Sequence, residues 1–144
     1  MQIKNILVVC IGNICRSPMA EFFLKQQHPD LHIESAGISA MVGHNADSKA
    51  IHCMDQIQID MRTHIAKQIN ADLIKQSDLI LVMSHNQQKH IENSLPFAKG
   101  KVFRLGHWQG KNVPDPYQHD QAFFEETCNN IQSYVTDWQK HLKI

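Results

Sequence analysis

The chain has 144 residues, 14 basic and 14 acidic side chains, ten histidines and a formal net charge of zero. That length allows one domain, 1–144, with a core that stands without cross-links, and the balanced charge excludes the cationic field of a nucleic-acid or anionic-membrane binder. Its four cysteines, Cys10, Cys15, Cys53 and Cys128, are too few and too unevenly spaced for a secreted disulfide framework. The longest apolar run, 6–11, is far short of a membrane span, so the expectation is a cytoplasmic protein without membrane insertion.

In chain order, "IKNILVV" (3–9) is apolar and rich in β-branched residues, which predicts a buried strand. Ser17-Pro18 predicts a helix start, with Ser17 as N-cap and Pro18 at the first helical position. Ala20, Phe23 and Leu24 fit the inner face of that helix, and His28-Pro29 ends it. "LHIESAG" (31–37) alternates as a second strand, 38–46 reads as a surface loop and 46–57 as a helix. A short helix at 70–76 precedes "DLILVM" (78–83), the clearest third strand. Residues 84–94 read as helix, "KVFRL" (101–105) as a fourth strand, and 106–120 as a long loop containing "VPDPY". Phe124, Cys128, Ile131, Val135, Trp138 and Leu142 alternate in steps of four and three, the apolar face of a C-terminal helix packed on the sheet. Strands alternating with helices give an α/β fold: a parallel sheet with helices on both faces and ligands at the carboxyl ends of its strands.

The turn leaving strand one, "VVCIGNICRSPMAE" (8–21), stands at such an end and reads C-x5-R-S. A loop of that length can turn the backbone N–H groups of Ile11, Gly12, Asn13, Ile14, Cys15 and Arg16 inward as an anion nest, with the positive end of the following helix behind it. Gly12 permits close approach or a positive φ, and Asn13 tolerates the left-handed region. Helix N-termini and a neighbouring arginine favour the thiolate of a cysteine. The planar fork of Arg16 suits two oxygens of a phosphoryl group. A nucleophile beneath a phosphorus, ringed by donors, is what covalent phosphoryl transfer requires.

Here the chain resembles the low-molecular-weight protein tyrosine phosphatases, in which that stretch is the phosphate-binding loop. The likeness continues through "ESAG", "THIAKQI", "DLILVM" and "GHWQGKNVPDPY" and covers essentially the whole chain. "GHW" ahead of "PDPY" is closest to the bacterial branch, whose members dephosphorylate tyrosine kinases governing capsule and exopolysaccharide export. The resemblance implies a four-stranded parallel sheet, a cysteinyl-phosphate mechanism with no metal or cofactor, and a tyrosine-phosphorylated partner, an autophosphorylating bacterial tyrosine kinase. It implies Cys10 as nucleophile, Arg16 as phosphate clamp and Asp115 as general acid, in a loop stiffened by Pro114 and Pro116. Asn13, Ser17, Ser35 and His64 match positions that brace the loop and the thiolate. Ile11, Met41 and Tyr117 are the expected walls of a narrow cleft, with Met41 standing where other branches carry a large aromatic. Ser84 departs from the acidic residue common after the third strand.

Two rival readings use the same loop. Cys10 and Cys15 can pair reversibly as a disulfide, but the related arsenate reductases need a further cysteine after strand three, and "SHNQQKHIENSL" has none. A phosphate-binding module without turnover has no use for Asp115. A metal site at His28 and His32 is disfavoured because Pro29 breaks the helix that would align them. A nucleotide-binding turn of the G-x-G-x-x-G type is absent.

Overall fold

The computed structural model describes residues 2–142. Four strands, β1 (Asn5–Cys10), β2 (His32–Gly37), β3 (Leu79–Val82) and β4 (Val102–Arg104), form one parallel sheet in the order β2-β1-β3-β4. Five α-helices connect and follow them: α1 (Arg16–Gln27), α2 (Ser48–Asp55), α3 (Ala71–Gln76), α4 (His85–Ser94) and α5 (Gln121–Leu142). Among the described residues no helix is long and apolar enough to cross a membrane.

The inner strands are buried on both faces, hence their unbroken apolar runs. Ile6, Val8 and Cys10 of β1 share one core with Leu79 and Leu81 of β3 and with Met19, Cys53, Phe124 and Ile131 of α1, α2 and α5. Leu7, Val9, Ile80 and Val82 share the opposite core with Ile74 of α3 and Ile91 of α4. The expected face of α5 is there: Phe124, Cys128, Ile131, Val135 and Trp138 are buried and Leu142 packs beside them. It meets α1 and α2, and the Trp138 indole donates to the Leu105 carbonyl at 2.8 Å. Two short 3-10 turns, Pro96–Ala98 and His107–Gln109, lie in segments with no predicted element.

Most elements are a residue or two shorter at one or both ends than the sequence reading, α2 spanning Ser48–Asp55 rather than 46–57, and the differences at β1 and α1 bear on the site. β1 begins at Asn5 rather than Ile3 and ends on Cys10, which pairs with Gly37. The thiol is therefore the last inward side chain of a rigid strand rather than part of the following loop. α1 begins at Arg16, with Cys15 at the N-cap and no side-chain cap. Ser17 is thus not the N-cap: it lies in the first turn, fully buried, with its hydroxyl against Cys10. Pro18 is tolerated two positions later than expected, as the third helical residue, because the first-turn N–H groups of a helix have no partner within it.

The carboxyl edge of the sheet gathers the loops 11–15, 38–47 and 105–120. At Gly37 a Cβ would collide with the carbonyl oxygen of Ile11, so only glycine lets the loop after β1 lie flat against the end of β2. Ile38 and Ser39 then donate their N–H groups to the Cys10 and Ile11 carbonyls at 2.9 and 3.0 Å.

Candidate active site

The loop 11–15 turns its carbonyls outward and leaves its donors open. The Gly12 and Ile14 carbonyls accept from the Met41 and Asp47 N–H groups. Among the described residues, none of the backbone N–H groups of Ile11, Gly12, Asn13, Ile14, Cys15 and Arg16 donates to another protein atom. The left-handed residue that bends the loop is Asn13, with φ 59°, and not Gly12. The uncapped start of α1 lies under the same ring of donors, an arrangement suited to a phosphate.

Asn13 also organises what lies beneath. Its Oδ1 accepts from the Lys67 N–H at 2.9 Å, which fixes the amide, and its Nδ2 donates to Ser17 Oγ at 2.8 Å and Ser35 Oγ at 2.9 Å. Each hydroxyl, having accepted from Asn13, keeps its own proton to give. Ser17 directs its proton to Cys10 Sγ at 2.9 Å, and Ser35 directs its proton to the Glu21 carboxylate at 2.5 Å. His64 Nε2 lies 2.7 Å from the Asn13 carbonyl, and since a carbonyl only accepts, that nitrogen carries a proton. The structure therefore brings Asn13, Ser17, Ser35 and His64 into one buried network ending on Cys10. Glu21, 6% exposed and bonded also to Lys25, is a member that the sequence reading missed. On α1 it reads as half of an ordinary surface pair, four residues before Lys25.

Arg16 is 4% exposed. Its Nη1 donates to the Val113 carbonyl at 2.9 Å and its Nη2 lies 3.6 Å from Asp115 Oδ2. Val113 in turn donates its N–H to the Met83 carbonyl at the end of β3, at 2.8 Å. The Pro-Asp-Pro loop is thus docked through its Val113 backbone onto both the sheet and the Arg16 guanidinium, and Asp115 stands half-exposed at the rim. Its Oδ1 accepts from the Tyr117 N–H at 3.1 Å. Val113, with no polar side chain, gave no sequence signal.

The cleft above has a volume of about 150 Å³; Cys10, Gly12, Cys15 and Arg16 line it together with Asp115, and Ile11, Met41 and Tyr117 supply apolar walls. Ile11 and Tyr117 are each 40% exposed, apolar surface left open at the mouth. Ser39 lines it too, unmarked in the sequence. Cys15 is buried, and burial first, then the charge of Asp47, pushes its thiol well above the ordinary cysteine range; at neutral pH it is a neutral neighbour of Cys10. Cys53 and Cys128 lie in the core between α2 and α5, where burial raises the Cys53 thiol to about 11.

Comparison with known proteins agrees with this architecture. The chain is 72% identical over 142 residues to the low molecular weight protein-tyrosine-phosphatase Ptp of Acinetobacter johnsonii, covering 99% of this chain and 100% of that one. The crystal structure of the Erwinia amylovora tyrosine phosphatase AmsI superposes with a TM-score of 0.95 at 37% identity, over 99% of this chain and 95% of that one. Vibrio vulnificus Wzb, solved in complex with benzylphosphonate, superposes with a TM-score of 0.92 at 35% identity, over 96% of this chain and 99% of that one. The family model for low molecular weight phosphotyrosine protein phosphatases matches residues 5–144, and the chain belongs to that family.

Proposed function

We propose that this phosphatase hydrolyses phosphotyrosine in two displacements, with Cys10, Arg16 and Asp115 as its working groups. The Cys10 thiolate attacks phosphorus: the S–P bond forms, the bond to the tyrosine oxygen breaks, and Asp115 gives that oxygen its proton. The Asp115 carboxylate then takes a proton from a water whose oxygen attacks the same phosphorus. The S–P bond breaks, and inorganic phosphate and the thiolate are released. Arg16 and the N–H groups of residues 11–16 hold the non-reacting oxygens through both steps, and Ser17 donates to the sulfur when it leaves. No step as drawn uses a metal or a cofactor.

The observation that carries this reading is the Ser17 hydroxyl 2.9 Å from Cys10 Sγ, followed along the chain by six N–H groups without a protein partner among the described residues and by a buried arginine bridged to Asp115. The apolar walls favour an aryl phosphate, because a flat ring reaches down between Ile11, Met41 and Tyr117 where a serine stem stops short. V. vulnificus Wzb, which binds a benzyl ring bearing a phosphonate, is consistent with such a cleft. The natural substrate we infer is an autophosphorylated bacterial tyrosine kinase controlling capsule or exopolysaccharide production, met in the cytoplasm, where all four cysteines stay free thiols. The test is phosphate release from a phosphotyrosine and a phosphoserine peptide without added metal. Release from phosphotyrosine alone, abolished in Cys10→Ser and reduced by about 10²- to 10⁴-fold in Asp115→Asn, is the expected result. Full activity in Cys10→Ser overturns the scheme.

A further inference from the structure

The ridge formed by Ile11 and Asp115 has a second side. Both residues, with Arg16, also line a pocket running away from Cys10 toward the start of α4, where Ile38, Ser84, Asn86, Gln87 and His90 complete it. The two displacements use Arg16 and Asp115 on the shared wall and none of the residues on the α4 side of the pocket.

Its chemistry is that of an anion acceptor. Gln87 is 5% exposed. Its Oε1 accepts from the Met83 N–H at 2.8 Å, which fixes the amide and leaves Nε2 as the free end. Among the described residues Nε2 has no hydrogen-bond partner, it is not among the sealed unpaired atoms of the interior, and Gln87 lines the pocket. On so buried a side chain, an amide donor without a protein partner marks a place for an acceptor. The ten-residue helix α4 begins here with no acidic residue in its first turn. Ser84 Oγ accepts from the Gln87 N–H at 3.2 Å, so its own proton remains free to donate. Asn86 N–H has no partner among the described residues, and His90 stands exposed at the edge. One carboxylate faces these donors, Asp115, and it is engaged by Arg16 and the Tyr117 N–H. Ile11 and Ile38 can cover a short methylene stem.

We propose that this pocket is a specificity subsite for an acidic side chain, aspartate or glutamate, lying within two residues of the phosphotyrosine in the substrate. The shared Ile11–Asp115 wall sets that distance, since neighbouring side chains of an extended peptide diverge to opposite sides of such a ridge. The carboxylate would accept from Gln87 Nε2 at the positive end of α4. The proposal rests on the phosphotyrosine reading above and adds a sequence preference to it.

The experiment measures kcat/KM for phosphotyrosine peptides that differ only in carrying Glu, Gln or Lys at the flanking positions, with p-nitrophenyl phosphate as a substrate too small to reach the subsite. The wild-type enzyme is expected to favour the Glu peptide over the Gln peptide by about tenfold, the scale of one charge-assisted hydrogen bond at a partly wet site. Gln87→Glu keeps the acceptor for Met83 and replaces the free donor by a carboxylate, so it is expected to invert the preference toward Lys. His90→Glu, on the exposed edge, is expected to weaken the preference for Glu without touching the Met83 bond. Because the readout is a ratio between peptides, any general loss in a variant cancels. Turnover of all three peptides at equal kcat/KM, or a ratio unchanged in both variants, overturns the subsite and leaves the phosphatase reading standing. No turnover of p-nitrophenyl phosphate or of any peptide overturns that reading, and the subsite with it.

Discussion

Ser17 holds a single sulfur with a single proton, and the two displacements ask different things of that bond. In the mechanism we propose, it restrains the nucleophile a little in the first step and stabilises the thiolate as leaving group in the second. Removing it therefore slows the second step selectively. Hydrogen bonds to charged groups contribute about 1.5–3 kcal/mol, and each 1.36 kcal/mol is about tenfold in rate. Ser17→Ala is expected to lower kcat by about ten- to a hundredfold and to reveal a burst of p-nitrophenol in rapid-mixing kinetics. A fall in kcat without a burst would show that the sulfur contact does not govern breakdown of the phosphocysteine. Glu21 acts one link further back, as the acceptor that takes the Ser35 proton and keeps both hydroxyls in a single orientation. Glu21→Ala leaves a buried hydroxyl without its acceptor, a loss of about 1–3 kcal/mol in stability. It should also produce a smaller burst of the same kind, and wild-type burst behaviour would restrict Glu21 to a purely structural part.

At the scale of elements, α1 is a helix left open at its N-terminus. α2, α3 and α4 are each capped by a side chain, Asp47, Asn70 and Ser84, whereas α1 has none. Its unbonded N–H groups and those of the preceding loop, which have no protein partner among the described residues, are open to an anion. Inorganic phosphate, the product, is therefore expected to raise Tm. At a hundred times its dissociation constant the gain is about 2.7 kcal/mol, roughly 8 °C at about 3 °C per kcal/mol. The shift should vanish in Arg16→Ala, and a Tm independent of phosphate in the wild type would show that the open donors are satisfied by water alone.

The same helix shows what the sequence can and cannot say. β1, β3 and the face of α5 were legible because burial on both sides of a sheet, or along one side of a helix, writes an apolar run or a three-four period into the chain. Ser17-Pro18 looked like a helix start and was near one, but local cap preference gave way to the distant demand of Cys10 for a donor, and the helix began earlier without a cap. Cys10, Arg16 and Asp115 were legible through spacing and resemblance, and the fold brings them to one cleft. Glu21, Val113 and Gln87 were not. Their roles depend on Ser35, Arg16 and Met83, and in the first two cases those partners lie 14 and 97 residues away, while the i, i+4 bond of Gln87 involves a backbone N–H that carries no sequence mark.

The whole molecule is tied across its sheet by a carboxylate at the edge opposite the cleft. Asp78 precedes β3, and its Oδ2 accepts the Lys4 and Asn5 N–H groups, each at 2.9 Å, while its own N–H donates to the Asn5 carbonyl at 2.8 Å. The Lys4 bond first, then the Asn5 bond, holds its carboxyl below the ordinary aspartate range. Glu34 on β2 is lowered in the same sense, by its bond to Lys67 first and then by His32. A carboxyl depressed in the folded state contributes stability that is fully present above the unfolded value, about 3.9 for aspartate, and is lost as pH falls through the lower folded value. Any general effect of acid on the fold is shared by wild type and a variant lacking Asp78 and cancels in a comparison of the two. Asp78→Ala is therefore expected to unfold about 1–2 kcal/mol more easily than wild type at pH 7. The gap should stay constant down to about pH 5 and narrow below pH 4, as read from urea midpoints at each pH. A gap that persists unchanged to pH 2 would mean that the neutral carboxyl accepts both N–H groups as well as the charged one, and that the tie between β1 and β3 is one of geometry rather than charge.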